Sequence, residues 1–150
     1  PVVLVIATSP DPLTCSVMVN EELGGYLAAT HLLDRGARKL VFLAGCPDLR
    51  LIRRRLAGVE RAVAEAGASL GVVAAPDLAI SAGREVGRQV LLSQSVDGVV
   101  CPSDLLAVGV IQAATDLGIR VPDDLIVVGR LRTVGHRLAR VATTFDYPGV

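Results

Sequence analysis

Four arginines lie close together in the sequence and form its strongest cluster of chemically active side chains: Arg50, Arg53, Arg54 and Arg55. A guanidinium presents five N–H donors in a planar fork and stays charged at cellular pH, so it suits carboxylates, phosphates and sugar hydroxyls. The cluster lies at the start of a predicted helix, where positive charge opposes the helix dipole. It therefore indicates a polar or anionic ligand, with simple solvation as the alternative for the first three arginines.

A second polar pair, Ser103 and Asp104, follows a short apolar segment. Ser103 is predicted to cap a helix by accepting a hydrogen bond from its first amides, and Asp104 places negative charge where the helix dipole is positive. In parallel α/β sheets, binding residues gather at the carboxyl ends of the strands. Residues 101–104 and 129–132 each follow a predicted strand, so a ligand is expected there.

The elements that position these residues follow from the pattern of apolar side chains. Four apolar residues at i, i+4, i+7 and i+11 share one face of a predicted helix: Leu106, Val110, Ala113 and Leu117. Gly118 is expected to end this helix. Apolar segments at 99–101 and 125–128 flank it and are predicted strands. Because parallel strands need a crossover of about this length, the stretch is predicted to be a right-handed βαβ unit.

The rest of the chain divides in the same way. Further extended segments are predicted at residues 1–7, 17–19, 39–44, 70–75 and 142–147. Further helices are predicted at 20–35, with Asn20 as cap and Glu21 and Glu22 in the first turn, and at 82–92. Residues 45–54 are predicted to be a loop, and the helix after it to bury Leu56, Val59, Val63 and Ala66. This alternation predicts an α/β fold with a doubly wound, mostly parallel sheet.

Composition limits the classes of function. The chain has 150 residues, enough for one domain with a real core, and it is 51% hydrophobic but only 3% aromatic. The formal net charge is +0, so we expect no general attraction to nucleic acid or to a membrane. The three cysteines show no metal-ligand spacing and suit a reducing cytoplasm, with Cys101 expected to be a small core residue. No apolar run approaches the ~18 residues of a membrane span.

Enzymatic motifs are missing from the sequence. It contains no G-x-G-x-x-G after a strand, no phosphate-binding G-x-x-x-x-G-K-[ST], no G-x-S-x-G and no H-E-x-x-H. His31 and His136 have no nucleophile or metal ligand at a recognisable spacing. We therefore predict a protein that is not an enzyme and has no cofactor and no metal.

Five motifs in order resemble the effector-binding core of LacI/GalR-type transcription regulators. They are N-x-x-x-G-G at 20–25, H-L-L-x-x-G at 31–36, R-L-A-G at 55–58, S-D-x-x-A-x-G at 103–109, and D-L-G-I-R-V-P-D-D-L-I-V-V-G at 116–129. Thr143 and Thr144 lie where the family's chain crosses back between its two lobes. The resemblance covers nearly the whole chain.

The resemblance implies a flavodoxin-like lobe of the periplasmic-binding-protein type within an incomplete two-lobe core. The implied division is 1–16 as part of the N-terminal lobe, 17–142 as the C-terminal lobe, and 143–150 as the return to the first lobe. The implied partners are a small effector, sugar or sugar-like, a second copy in a homodimer, and DNA through an absent N-terminal helix-turn-helix. The implied location is the cytoplasm, without a membrane. A periplasmic sugar-binding protein of a transporter shares the two-lobe architecture and is the alternative.

Within this resemblance, R-L-A-G places Arg55 where the family's arginine reaches the effector. The predicted effector-binding residues are Leu51, Arg55, Val100, Ser103, Asp104, Leu131 and Arg132. The family's G-[FY]-D-D after the last strand is replaced here by Gly129, Arg130, Leu131 and Arg132, so an accepting carboxylate is missing. Either Arg55, with Arg130 or Arg132 nearby, favours an acidic ligand such as a sugar phosphate or carboxylate, or effector binding has decayed or moved.

Overall fold

A computed structural model describes residues 3–5, 15–17, 19–129 and 143–144 of the chain. The helices are α1 (Glu21–Asp34), α2 (Arg50–Glu65), α3 (Ile80–Ser93) and α4 (Asp104–Asp116). The strands are β1 (Val3–Val5), β2 (Cys15–Val17), β3 (Lys39–Gly45), β4 (Ser69–Ala75), β5 (Gly98–Val100), β6 (Ile126–Gly129) and β7 (Thr143–Thr144). Strands and helices alternate from β2 to β6, as the sequence predicts.

All strand pairs in the described part of the chain are parallel. Strands β1 and β2 pair with each other, and the other five form one sheet in the order β4-β3-β5-β6-β7. The chain moves outward from β3 to β4 and then returns past β3 to β5. The gap between β3 and β5 is therefore a topological switch point, which confirms the predicted doubly wound α/β fold.

The last described strand, β7, extends this sheet. Thr143 pairs with Val128 and Thr144 with Gly129. The predicted division of the chain into 1–16, 17–142 and 143–150 stays a prediction.

Helices cover both faces of the five-stranded sheet, and successive residues of β3 point to opposite faces. Leu40 and Phe42 lie in a core cluster with α1 and α2. Val41 and Leu43 lie in a second cluster with α3 and α4. Each of these four side chains is at most 2% exposed. A strand buried on both faces is a continuous apolar run, which explains the high aliphatic and low aromatic content.

Two helix starts have the caps that the sequence predicts. The Asn20 side-chain oxygen accepts a hydrogen bond from the Leu23 amide at 3.0 Å, and Ser103 Oγ accepts one from the Leu106 amide at 3.2 Å. Gly118, just beyond α4, has a φ of +72°, a left-handed conformation that glycine adopts without strain. The predicted boundaries of these two helices are confirmed.

The predicted start of α2 is wrong. Residues 45–54 were expected to be a loop, but the helix begins at Arg50, directly after Leu49, which gives no side-chain cap. Ile52 explains the extra turn because it is 1% exposed and lies seven residues before Val59, on the same face. Leu56 is only half-buried and Ala66 is exposed, so the buried face is also rotated from the one predicted.

The helices on each face pack so closely that glycine is required at the contact. A Cβ atom on Gly25 of α1 would clash with the backbone oxygen of Arg55, and one on Gly58 of α2 would clash with the backbone oxygen of Glu22. Gly83 and Gly109 form the same kind of contact between α3 and α4. Backbone therefore meets backbone in both helix pairs, which fixes their spacing.

Replacing Gly25 with alanine should destabilise the protein by about 2–3 kcal/mol, because the new methyl group has only rigid backbone to displace. Urea unfolding of the full-length protein followed by circular dichroism measures this loss. Gly71→Ala is the matched control, since its Cβ would meet its nearest neighbour, Val41 Cγ2, at an ordinary 3.4 Å. That control should change stability by less than about 0.5 kcal/mol. Equal effects from both substitutions would contradict the packing described here.

Candidate functional site

The candidate site lies at the carboxyl ends of β3 and β5, beside the switch point. The segment after β3 leads into α2, and the segment after β5 leads into α4. The two strands are neighbours and their helices lie on opposite faces of the sheet, which is the arrangement at which open α/β sheets bind ligands. Polar side chains carried by these segments are therefore brought to one edge.

Arg55 in α2 joins three segments at this edge. Its Nη1 donates a hydrogen bond to the backbone oxygen of Pro102 at 2.6 Å, and its Nη2 donates to Glu21 Oε2 in a buried ion pair. Pro102 follows β5, and Glu21 is the first residue of α1. The guanidinium thus connects the starts of α1 and α2 to the end of the neighbouring strand.

Glu21 is the member of the candidate site that sequence analysis missed. Both Glu21 and Arg55 are 4% exposed, and buried charges are tolerated when they are paired and hydrogen-bonded. The sequence predicts Glu21 only as an acidic residue favourable to the helix dipole. A stronger pattern was present, because Glu21 lies at i with Gly25, Ala28 and Leu32 at i+4, i+7 and i+11, which places its side chain on the buried face.

The predicted site residues Ser103 and Asp104 lie in the same region. Ser103 Oγ donates to the Leu78 backbone oxygen at 3.2 Å while it caps α4, so it links the loop after β4 to the loop after β5. Asp104 is half-buried beside the end of β6, where a Cβ on Gly129 would be 3.0 Å from Asp104 Oδ1. Three strand ends therefore converge on the start of α4.

The other predicted site residues are placed differently. Leu51 is half-buried and packs against the core cluster between the sheet and α1 and α2. Val100 is 1% exposed and belongs to that same cluster. Leu131 and Arg132 lie outside the described residues. The structure therefore brings together Arg55, Ser103 and Asp104, whereas Leu51 and Val100 support the edge from the core side; the ligand contacts of all seven stay predictions.

The arginine cluster divides into one buried member and three exposed ones. Arg50, Arg53 and Arg54 are exposed and form no ion pair with any described residue, whereas Arg55 is bound on two sides. Within the described part of the chain, other arginines such as Arg84 do pair with carboxylates. The solvated interpretation therefore fits the three exposed arginines, and the site depends on Arg55.

The described residues contain no metal centre, and the thiol of Cys101 is not accessible. Cys101 is 2% exposed. Burial, and to a smaller extent the negative charge of Asp104, raises the pKa of its thiol well above the ordinary value. It is thus the small core residue that the sequence predicts. Within residues 19–129 and the short described strands, no three His, Cys, Asp or Glu side chains are grouped to hold a metal ion. No helix of the described chain has the length and apolarity to span a membrane.

This fold is that of a known class of domain. A family model of the periplasmic binding protein-like domain matches residues 29–148. The chain therefore belongs to the periplasmic binding protein-like domain family. The resemblance to the effector-binding core of LacI/GalR-type regulators is confirmed.

Individual relatives are transcription regulators. The HTH-type transcriptional repressor PurR of Photobacterium profundum is 30% identical over 132 residues, which are 86% of this chain and 40% of that protein. The Ribose operon repressor of Haemophilus influenzae is 36% identical over 120 residues, 75% of this chain and 35% of that protein. A LacI family transcriptional regulator from Mycobacterium smegmatis has a solved structure with a TM-score of 0.75 and 28% identity, covering 85% of this chain and 49% of that one. This chain thus spans less than half of each relative.

Removing one partner of the buried ion pair should destabilise the protein strongly. Glu21→Gln or Arg55→Gln alone is expected to cost about 3–5 kcal/mol, because each leaves an uncompensated buried charge. The double variant should recover a large part of that loss. Urea unfolding of the full-length protein gives the coupling energy of this cycle.

The exposed pair of Arg84 and Asp116 is the matched control for this cycle. Its side chains are 56% and 42% exposed, so Arg84→Gln should cost less than about 1 kcal/mol. Additive effects of the two substitutions at positions 21 and 55 would show that the two charges do not depend on each other.

Proposed function

We propose that this chain is the ligand-sensing part of a LacI-type transcription regulator, which binds a small polar effector and controls DNA binding by another part of the protein. The observation that carries this proposal is the Arg55 guanidinium, held beside the switch point by Pro102 and Glu21. The switch point is where open α/β sheets bind ligands. Family membership supports the same location.

The proposed effector site consists of Arg55, Ser103 and Asp104, supported by Leu51 and Val100, and the sequence adds Leu131 and Arg132 as proposed members. Arg55 uses two of the five N–H donors of its guanidinium for Pro102 and Glu21, which leaves three for other partners. Its side chain is only 4% exposed. Arg55 would therefore contribute a directed hydrogen bond to the ligand rather than a broad contact surface.

The proposed mechanism is a shift between two arrangements of two lobes. An effector held between this edge and a second lobe favours the arrangement that it binds better, and its differential affinity sets how far DNA binding changes. Such coupling typically amounts to about 1–3 kcal/mol. The close backbone contacts within each helix pair suit this mechanism, because they let the lobe move as one unit. We also propose that the regulator acts in the cytoplasm as a homodimer.

The proposed ligand is a sugar or a sugar-like molecule. One relative is a Ribose operon repressor, and the hydrogen-bond donors of Arg55 suit hydroxyl groups. An acidic ligand is the alternative raised by the sequence. Glu21 removes the net positive charge that this alternative assigned to Arg55, so an acidic ligand would depend on Arg130 or Arg132.

Changing Arg55 should weaken effector binding by well over tenfold. Arg55→Ala also leaves Glu21 unpaired, so Arg55→Lys is the better variant, because it keeps a positive charge and loses the planar fork. Calorimetry of the full-length protein against a panel of neutral sugars and sugar phosphates measures the affinity, and operator binding with and without the same ligands reports the function. Arg53→Ala, at an exposed position of the same helix, should leave affinity unchanged. Unchanged affinity in both Arg55 variants would remove Arg55 from the site.

A further inference from the structure

We propose that Glu21 is the residue that positions Arg55 and sets the charge of the ligand that this edge accepts. The inference rests on the proposed function, since it concerns the same site. Glu21 cancels the charge of Arg55, so the site takes an uncharged, hydroxyl-bearing ligand and disfavours an anion.

The first argument is the fixed geometry of the pair. The carboxylate of Glu21 holds one end of the Arg55 fork while the Pro102 oxygen holds the other, so the plane of the guanidinium is set by two different segments. An arginine side chain has several rotatable bonds, and an unfixed one loses that freedom on binding a ligand. Because Glu21 already holds the Arg55 side chain in place, little rotational freedom is left to lose when a ligand binds.

The second argument is charge. Both side chains are 4% exposed, so solvent screens them little, and their unit charges cancel. An anion that approached Arg55 would gain little net attraction, because the negative charge of Glu21 offsets the positive charge of Arg55. A hydroxyl group instead accepts hydrogen bonds from the remaining N–H donors without bringing a new charge into the site.

The third argument is that Glu21 supplies a buried carboxylate in a region where the family pattern has lost one. The positions after β6 carry Arg130, Leu131 and Arg132 in place of acidic residues. Glu21 comes from the start of α1, a different segment of the chain, yet the fold brings it to the carboxyl edge of the sheet. Glu21 therefore adds a second carboxylate to this edge, beside Asp104, and is the one that contacts Arg55.

Inorganic phosphate is the probe that tests this role, because it measures anion preference without knowledge of the natural effector. In the full-length protein, Glu21→Gln keeps the size of the side chain and removes its charge, which leaves Arg55 positive. The phosphate affinity of Glu21→Gln should rise at least tenfold over that of the unaltered protein, measured by calorimetry at ionic strength matched with chloride. A purely structural role would change thermal stability and leave phosphate affinity unaltered.

Glu22→Gln is the matched control. Glu22 is the next residue, is 44% exposed and pairs with Arg61 on the outer surface, so its loss should not change phosphate affinity. The double variant Glu21→Gln/Arg55→Gln should lose the gain in phosphate affinity. Equal phosphate affinity in Glu21→Gln and the unaltered protein, or the same gain in Glu22→Gln or in the double variant, would overturn the inference.

If Glu21→Gln does not fold in ordinary buffer, refolding yield becomes the readout. Phosphate stabilises folded proteins in general, so the measure is the gain over chloride in Glu21→Gln relative to the gain in the double variant. That gain should be at least severalfold larger in Glu21→Gln, and equal gains in the two variants would overturn the inference. Failure of the unaltered protein to bind any neutral sugar or sugar phosphate would instead count against the proposed function. That failure would not change the conclusion that the phosphate measurements give about Glu21.

Discussion

The buried ion pair between Arg55 and Glu21 depends on how closely α1 and α2 approach. Gly25 lies against the backbone of Arg55, and Gly58 lies against the backbone of Glu22, so each helix uses a glycine to contact the other one turn from the ion pair. A larger residue at either position would separate the helices. The Arg55 guanidinium, which now contacts both the Glu21 carboxylate and the Pro102 oxygen, would then be moved away from the carboxylate. The close packing of α1 and α2 is therefore required for the ion pair of the candidate site to form.

The sheet topology places this ion pair at the switch point, where open α/β sheets bind ligands. The strands β3 and β5 are neighbours and the chain leaves them toward opposite faces, so their carboxyl ends form the switch point of the sheet. Arg55 comes from the helix after β3 and Pro102 from the segment after β5, so their hydrogen bond joins the two sides of that switch point. Ser103 makes a comparable link to the loop after β4 through Leu78. A ligand at this edge would contact groups whose positions are set by the sheet itself.

The sequence predicted the fold because each element carries its own local evidence. Asn20 and Ser103 cap their helices as expected, and continuous apolar runs form the buried strands. The start of α2 was missed because Leu49 offers no capping side chain. Glu21 was missed for another reason: a carboxylate in a first helical turn is common, and only the tertiary contact with Arg55, 34 positions later, gives it a buried role. Leu131 and Arg132 stay predictions from the sequence.

The most direct test of the central claim is hydrogen–deuterium exchange of the full-length protein with and without the neutral sugar that it binds most tightly. If the edge beside the switch point is the effector site, ligand should slow exchange in the segments leading into α2 and α4, residues 46–55 and 101–106, which carry Arg55 and Pro102. Exchange at the far ends of the same helices should change little. Protection confined to the outer surface of α3 and α4, with both edge segments unchanged, would contradict the account.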